Sequence, residues 1–148
     1  MQLKEIVERL PYGNNFLFVD ELLSVDGNGA LGSFTYCSHL LFYDSHFKIK
    51  PVTPGVILTE TMAQIGLVCF GIFLLKDELE NNKTSFAMTS NTVDFIKPVY
   101  PGTKVWVESQ KIYFRFGKLS CRVTMKDEAG QTLCKGTISG MLISDSNG

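Results

Sequence analysis

Between Pro54 and Leu79 the chain is apolar nearly all round a helix. Ile57, Leu58, Met62, Ile65, Leu67, Val68, Phe70, Ile72, Phe73, Leu74 and Leu75 leave no wet stripe. Such a helix is either buried in protein or crosses a membrane. Val56 to Leu75 is long enough to span, but it carries Glu60 and Gln64. A carboxylate in lipid is costly. The rest of the chain alternates like strands, so a central helix wrapped by a sheet is expected and a membrane span is not. Pro54 suits the first turn, where its missing N–H costs nothing. Gly66 and Gly71 weaken a helix, and are predicted to admit the close approach of another backbone. Asn81-Asn82-Lys83 is predicted to end the element.

Around that helix the pattern is strand and turn. Leu3, Ile6, Val7 and Leu10 fall at helical spacing, and Pro11 closes a short helix. Phe16 to Val25 reads as a strand, Asp26-Gly27-Asn28-Gly29 as a hairpin turn, and Ala30 to Cys37 as the returning strand. Ser38 to Thr53 shows no period, and irregular stretches of that length are usually functional. Strands follow at Thr84 to Ile96, Thr103 to Phe116, Leu119 to Lys126 and Gln131 to Ile143. In Thr103 to Phe116, Val105, Val107, Lys111 and Tyr113 are predicted on one face, with Trp106, Glu108, Ile112 and Phe114 on the other. In the next strand Leu119, Cys121, Val123 and Met125 are predicted to face the core. Short connections favour antiparallel neighbours. The expected fold class is α+β, an antiparallel sheet of about six strands around one long helix, in a single domain over 1–148.

Bulk properties exclude several function classes. Lys and Arg are scattered and the net charge is −1, so nothing points to nucleic acid. Cys37, Cys69, Cys121 and Cys134 have no C-x-x-C spacing and do not cluster with His39 or His46. No metal site, cofactor or disulfide framework is expected. Reduced thiols and an N-terminus unlike a signal peptide suggest a cytoplasmic protein.

The chemistry-bearing stretch runs from His46 to Glu60. A loop histidine precedes Pro54-Gly55, which opens the apolar helix, and Glu60 lies one turn inside it. A histidine titrates near working pH and can act as a base. A carboxyl in apolar surroundings is pushed towards its neutral form and can act as an acid. Backbone N–H groups at Gly55 and Val56, at the positive end of the helix, could stabilise a developing oxyanion. Glycine there lets a ligand come close. Together these suit moving a proton beside a carbonyl and expelling a leaving group.

Three stretches resemble the hotdog-fold 3-hydroxyacyl-[acyl-carrier-protein] dehydratases, the FabZ/FabA group. Leu10-Pro11-Tyr12-Gly13-Asn14-Asn15-Phe16-Leu17-Phe18-Val19-Asp20 is similar to the opening LPHRYPFLLVD of the FabZ type. Ser45-His46-Phe47, Pro51, and Pro54-Gly55-Val56 through Glu60-Thr61-Met62-Ala63-Gln64 resemble GHFPGxPxxPGVxxxEAMAQ. Val93 to Gly102 resembles xxFKRPVxPGD. The resemblance implies a single hotdog domain in which His46 and Glu60 are catalytic and Gly55 supplies an oxyanion N–H. It implies that Gln64 orients the acid. It also implies an acyl carrier protein as partner and a dimer whose sites each take the histidine and the carboxylate from different subunits. Phe42, Tyr43 and Phe47, together with Phe70 and Phe73, are candidates for lining an acyl tunnel.

The chain departs from the pattern at the rim. Ser45 replaces a glycine, Lys48-Ile49 a Pro-Gly, His39-Leu40-Leu41 an Asn-Glu-Pro, and Tyr12-Gly13-Asn14-Asn15 a His-Arg-Tyr-Pro. Substrate preference is expected to follow those changes. Two other functions use the same fold: an acyl thioesterase, and a non-catalytic acyl-binding subunit of a heterodimer. Lys48, Lys50 and Lys97 are candidates for meeting an acidic carrier protein.

Overall fold

The computed structural model describes residues 1–76 and 84–144. The predicted helix end near Leu79 and the turn at Asn81-Asn82-Lys83 lie outside the described residues. Six antiparallel strands form one sheet: β1 (Glu21–Asp26), β2 (Gly29–Thr35), β3 (Thr84–Phe95), β4 (Lys104–Arg115), β5 (Lys118–Lys126) and β6 (Thr132–Ser144). Their order is β1-β2-β4-β5-β6-β3, which leaves β1 and β3 at the edges. A short helix, α1 (Leu3–Glu8), lies against β1.

The central helix has three parts: α2 (Gly55–Ala63), a π-helical stretch Gln64–Cys69, and α3 (Phe70–Leu74). Every residue from Thr61 to Ile72 is buried. Gly55–Leu74 is long and apolar enough to cross a membrane, but most of it is enclosed by the protein's own sheet. Val105 and Val107 of β4, the four apolar residues Leu119, Cys121, Val123 and Met125 of β5, and Cys134 and Ile138 of β6 cover it. Burying one such side chain is worth roughly 1.5–3 kcal/mol.

The sheet curls because it is bulged. Register shifts occur between Leu22 and Ser24, Met88 and Ser90, and Lys111 and Tyr113. Each extra residue bends its strand and increases the twist. The last of these overturns one predicted face. Past Ile112 the alternation reverses, so Tyr113 pairs with Ser120 on the outer face and Phe114 with Leu119 on the inner. Phe114 then meets the Phe86 ring, with centroids 6.2 Å apart.

Two other expectations are corrected. The first strand begins at Glu21 rather than Phe16, because Asn14–Phe16 forms a 3-10 turn. There the Phe18 N–H and the Phe16 carbonyl bond to the Gln64 side chain instead of a neighbouring strand. Gly66 and Gly71 do admit close neighbours, but these are side chains. A Cβ at Gly71 would lie 2.2 Å from a Phe86 ring carbon, and one at Gly66 3.0 Å from Val123 Cγ1. The β4–β5 connection turns on Phe116 and Gly117, with φ of 52° and 75°. Two positive φ angles in succession fit the twist of a two-residue hairpin.

Candidate active site

The histidine sits in a loop closed on itself. His46 accepts a backbone bond from Val52 N–H at 2.8 Å, and Phe47 N–H donates to the Lys50 carbonyl at 3.1 Å. The buried Tyr43 and Thr53 hydroxyls bond at the loop's base. His46 Nδ1 lies 2.9 Å from the Val52 carbonyl. A carbonyl only accepts, so in the neutral ring Nδ1 carries the hydrogen and Nε2 keeps the lone pair. The Phe47 ring stacks on the imidazole with centroids 3.9 Å apart. At the tip Lys48 is exposed and Ile49 almost wholly so.

Glu60 is held from the helix and from the opening segment together. Gln64, one turn later and fully buried, donates from Nε2 to Glu60 Oε2 at 2.9 Å. The same Nε2 donates to the Phe16 carbonyl at 2.9 Å, and Gln64 Oε1 accepts from Phe18 N–H at 2.8 Å. Both amide hydrogens and the amide oxygen are thus committed, so the amide cannot flip. Oε2 of Glu60 must accept, and a proton on this carboxyl sits on Oε1. Burial pushes the Glu60 carboxyl above its ordinary range, against the pull of the Gln64 donor.

Glu60 lines a cavity of about 270 Å³ between the central helix and the edge strand β3. Ala63, Leu67 and Val68 form one wall, Phe86, Ala87 and Met88 another, and Tyr12 and Phe16 the rim. His46 is not among the lining residues, nor does it bond to Glu60. Phe42, Tyr43 and Phe47 do not line it either. Tyr43 is buried at the loop base, Phe42 packs on Tyr43, and Phe47 stays 57% exposed beside His46. Phe70 is buried and Phe73 half-buried further along the helix.

The helix N-terminus opens beside the histidine loop. Pro54 is the N-cap, and its carbonyl accepts from Ile57 and Leu58. Gly55 and Val56 N–H groups have no acceptor within the helix, as at any helix start. The half-exposed Phe95 ring lies over Gly55, with atoms 3.1–3.4 Å from where a Cβ would stand. Phe95 and the backbone of Phe16, Phe18 and Val52 escaped the sequence reading as site groups. A backbone carbonyl carries no residue-type signal. Phe16 and Phe18 do fall in the first of the three motif stretches. Among the described residues no group of three His, Cys, Asp or Glu side chains is placed to hold a metal ion. Cys69, Cys121 and Cys134 are buried, which pushes their thiols up to about 12.

A model of the FabA-like domain matches residues 10–129, which include the histidine loop, the helix start and the Gln64 clamp. The chain belongs to the FabA-like family. It is 34% identical to the 3-hydroxyacyl-[acyl-carrier-protein] dehydratase FabZ of Caldicellulosiruptor bescii, over 92% of this chain and 94% of that one. It is also 34% identical to FabZ of Sinorhizobium fredii, over 96% and 90%. Similar solved structures include a chain of the dehydratase heterocomplex ApeI:P from Xenorhabdus doucetiae. That match has a TM-score of 0.78 at 14% identity and covers 95% of this chain and 92% of that one. A mutant thioesterase from Pseudomonas aeruginosa matches with a TM-score of 0.67 at 10% identity, over 97% and 95%. At such identities these structures establish the shared hotdog fold.

Proposed function

We propose that this FabA-like chain dehydrates 3-hydroxyacyl thioesters on an acyl carrier protein to trans-2-enoyl thioesters, in fatty acid or related acyl biosynthesis. The relatives' names describe enzymes of this activity. The observation that carries the reading most is the Glu60 carboxyl, desolvated and with Oε2 engaged by an amide that cannot turn. A protonated Oε1 is then a general acid with a defined direction.

His46 Nε2 takes the C2 proton. As the C2–H bond breaks, negative charge grows on the thioester oxygen, and Gly55 and Val56 N–H groups stabilise it. One such donor is typically worth ~3 kcal/mol. The electron pair forms the C2=C3 bond, the C3–O bond breaks, and Glu60 Oε1 gives its proton to the departing oxygen. The products are enoyl thioester and water. The proton passes from His46 back to Glu60 through solvent or the product water. These steps call on acid, base and carbonyl polarisation and on no cofactor.

The working unit is a homodimer in which His46 of one subunit faces Glu60 of the other. Separation of the two groups within one chain supports this. So do the edge of β3, which has a strand neighbour on one side only among the described residues, and the exposed Val56, Phe95 and Ile96. A long bare strand edge invites pairing with another chain. The three buried free thiols, Cys69, Cys121 and Cys134, fit a cytoplasmic enzyme. Lys48 at the loop tip, Lys50 over the Tyr100 ring and Lys97 bonded to Gln131 form a basic rim for an acidic carrier. Charge reversal at all three is expected to raise KM for carrier-bound substrate more than for the coenzyme A thioester. An equal effect on both removes the rim from the account.

The test is enoyl-thioester hydration, the reverse reaction, followed by loss of ultraviolet absorbance. Wild type is expected to be active, and His46→Ala and Glu60→Ala are each expected to lose at least about a hundredfold in kcat. Release of free thiol instead, with no hydration, would replace this reading by a thioesterase.

A further inference from the structure

Tyr12 lines the cavity of Glu60, and among the described residues its hydroxyl has no hydrogen-bond partner. Its ring tilts against Phe16 with centroids 6.2 Å apart, at the cavity rim. Among the described residues the hydroxyl makes no hydrogen bond. Apart from Tyr12 and Glu60, the side chains around this space are apolar: Ala63, Leu67, Val68 and Phe86 among them. Burial first, and the Glu60 charge second, hold the phenol well above its ordinary pKa. Tyr12 therefore keeps its proton at any working pH and can act there only as a hydrogen-bond partner. An O–H without a protein partner, on a residue that lines the same space as an acid, suits an oxygen atom of a bound ligand.

The geometry points to Tyr12 as a substrate-contacting donor, and we propose that it bonds to the C3 oxygen as that oxygen leaves. This deepens the dehydratase reading and rests on it. Glu60 Oε2 is occupied by Gln64, so the C3 oxygen meets Oε1 from one side and the Tyr12 hydroxyl from the other. In the step the C3–O bond breaks and the Glu60 proton joins the departing oxygen to make water. Tyr12 transfers no proton. It stabilises negative charge that builds on the oxygen before the Glu60 proton arrives. The residue is one of those at which this chain differs from the FabZ-type opening motif, so the contact is a property of this sequence.

Tyr12→Phe keeps the ring and its packing on Phe16 and removes only the hydroxyl. On a 3-hydroxyacyl thioester, kcat is expected to fall about 10- to 100-fold with KM within about twofold. A 3-chloroacyl thioester separates the contact from a structural role, because chloride leaves without a proton or a donor. Enzymatic elimination from it, corrected for the uncatalysed rate, is expected to stay within about threefold of wild type in Tyr12→Phe. Glu60→Gln should show the same selective loss. Equal losses on both substrates, or wild-type kcat on the hydroxy substrate, would overturn the contact while leaving the dehydratase reading intact. A wild-type enzyme that acts on neither substrate would overturn both.

Discussion

A carboxyl under desolvation with a single amide donor ionises later than one in water, and Glu60 is in that position. If its protonated form is the acid, the alkaline limb of the dehydration pH profile reports its ionisation. That limb is expected above the ordinary carboxylate range, and to vanish in Glu60→Gln, which measurement of kcat/KM against pH checks. The same shift has a stability consequence. With the folded pKa raised above the unfolded one, the stabilising contribution of the neutral carboxyl is complete below the unfolded pKa. It is lost as pH rises through the folded pKa. Glu60→Gln should therefore gain stability relative to wild type between pH 4 and pH 8, as thermal melts at the two values would show. An equal difference at both would contradict the shift. Gln64 carries a different load. Gln64→Leu strands the Phe16 carbonyl and the Phe18 N–H, at a cost of about 2–4 kcal/mol in urea denaturation.

At the scale of elements, the central helix is held by shape as well as by apolar area. Gly71 has the Phe86 ring where its Cβ would be, and Phe86 is itself pinned by Phe114. Gly71→Ala gains up to ~1 kcal/mol of helix propensity. Overpacking typically costs about 1–3 kcal/mol, so a net loss is expected in the denaturation midpoint, and a rise there would show that the ring can move aside. The helix was legible because eleven apolar side chains leave no wet face, and the strands of β4 and β5 because alternation is a local signal. The bulge at Ile112 was not legible. Nothing in Lys111-Ile112-Tyr113 marks an extra residue, and the flip of Phe114 to the inner face is decided by pairing with β5. The π-helical stretch Gln64–Cys69 was hidden for a similar reason, since an all-apolar run has no periodicity to break. Near the site, side chains with distinctive chemistry were visible, whereas Val52, Phe16 and Phe18 act through backbone atoms. The cavity walls from β3 lie more than twenty residues beyond Glu60, and folding alone brings them together.

At the scale of the whole molecule, the separation of His46 from the Glu60 cavity is the main fact to account for. One chain offers a histidine loop and helix start beside exposed Val56, Phe47 and Phe95, and an acid that opens towards the bare edge strand β3. A two-fold dimer pairs such a surface with itself and makes two equivalent sites. Disruption of the surface by Val56→Asp is expected to yield monomers without hydration activity, as sedimentation with assay would show; active monomers would contradict the shared site. Complementation reads the arrangement most directly. His46→Ala and Glu60→Ala chains, each inactive alone, are co-expressed with different tags and purified together. If each site draws its histidine and its carboxyl from different subunits, every mixed dimer has one intact site and one doubly altered site. The doubly tagged fraction is then expected to hydrate enoyl thioester at about half the wild-type rate per dimer. A doubly tagged dimer with no more activity than its parents would contradict the account, because it would mean that His46 and Glu60 do not act across the interface.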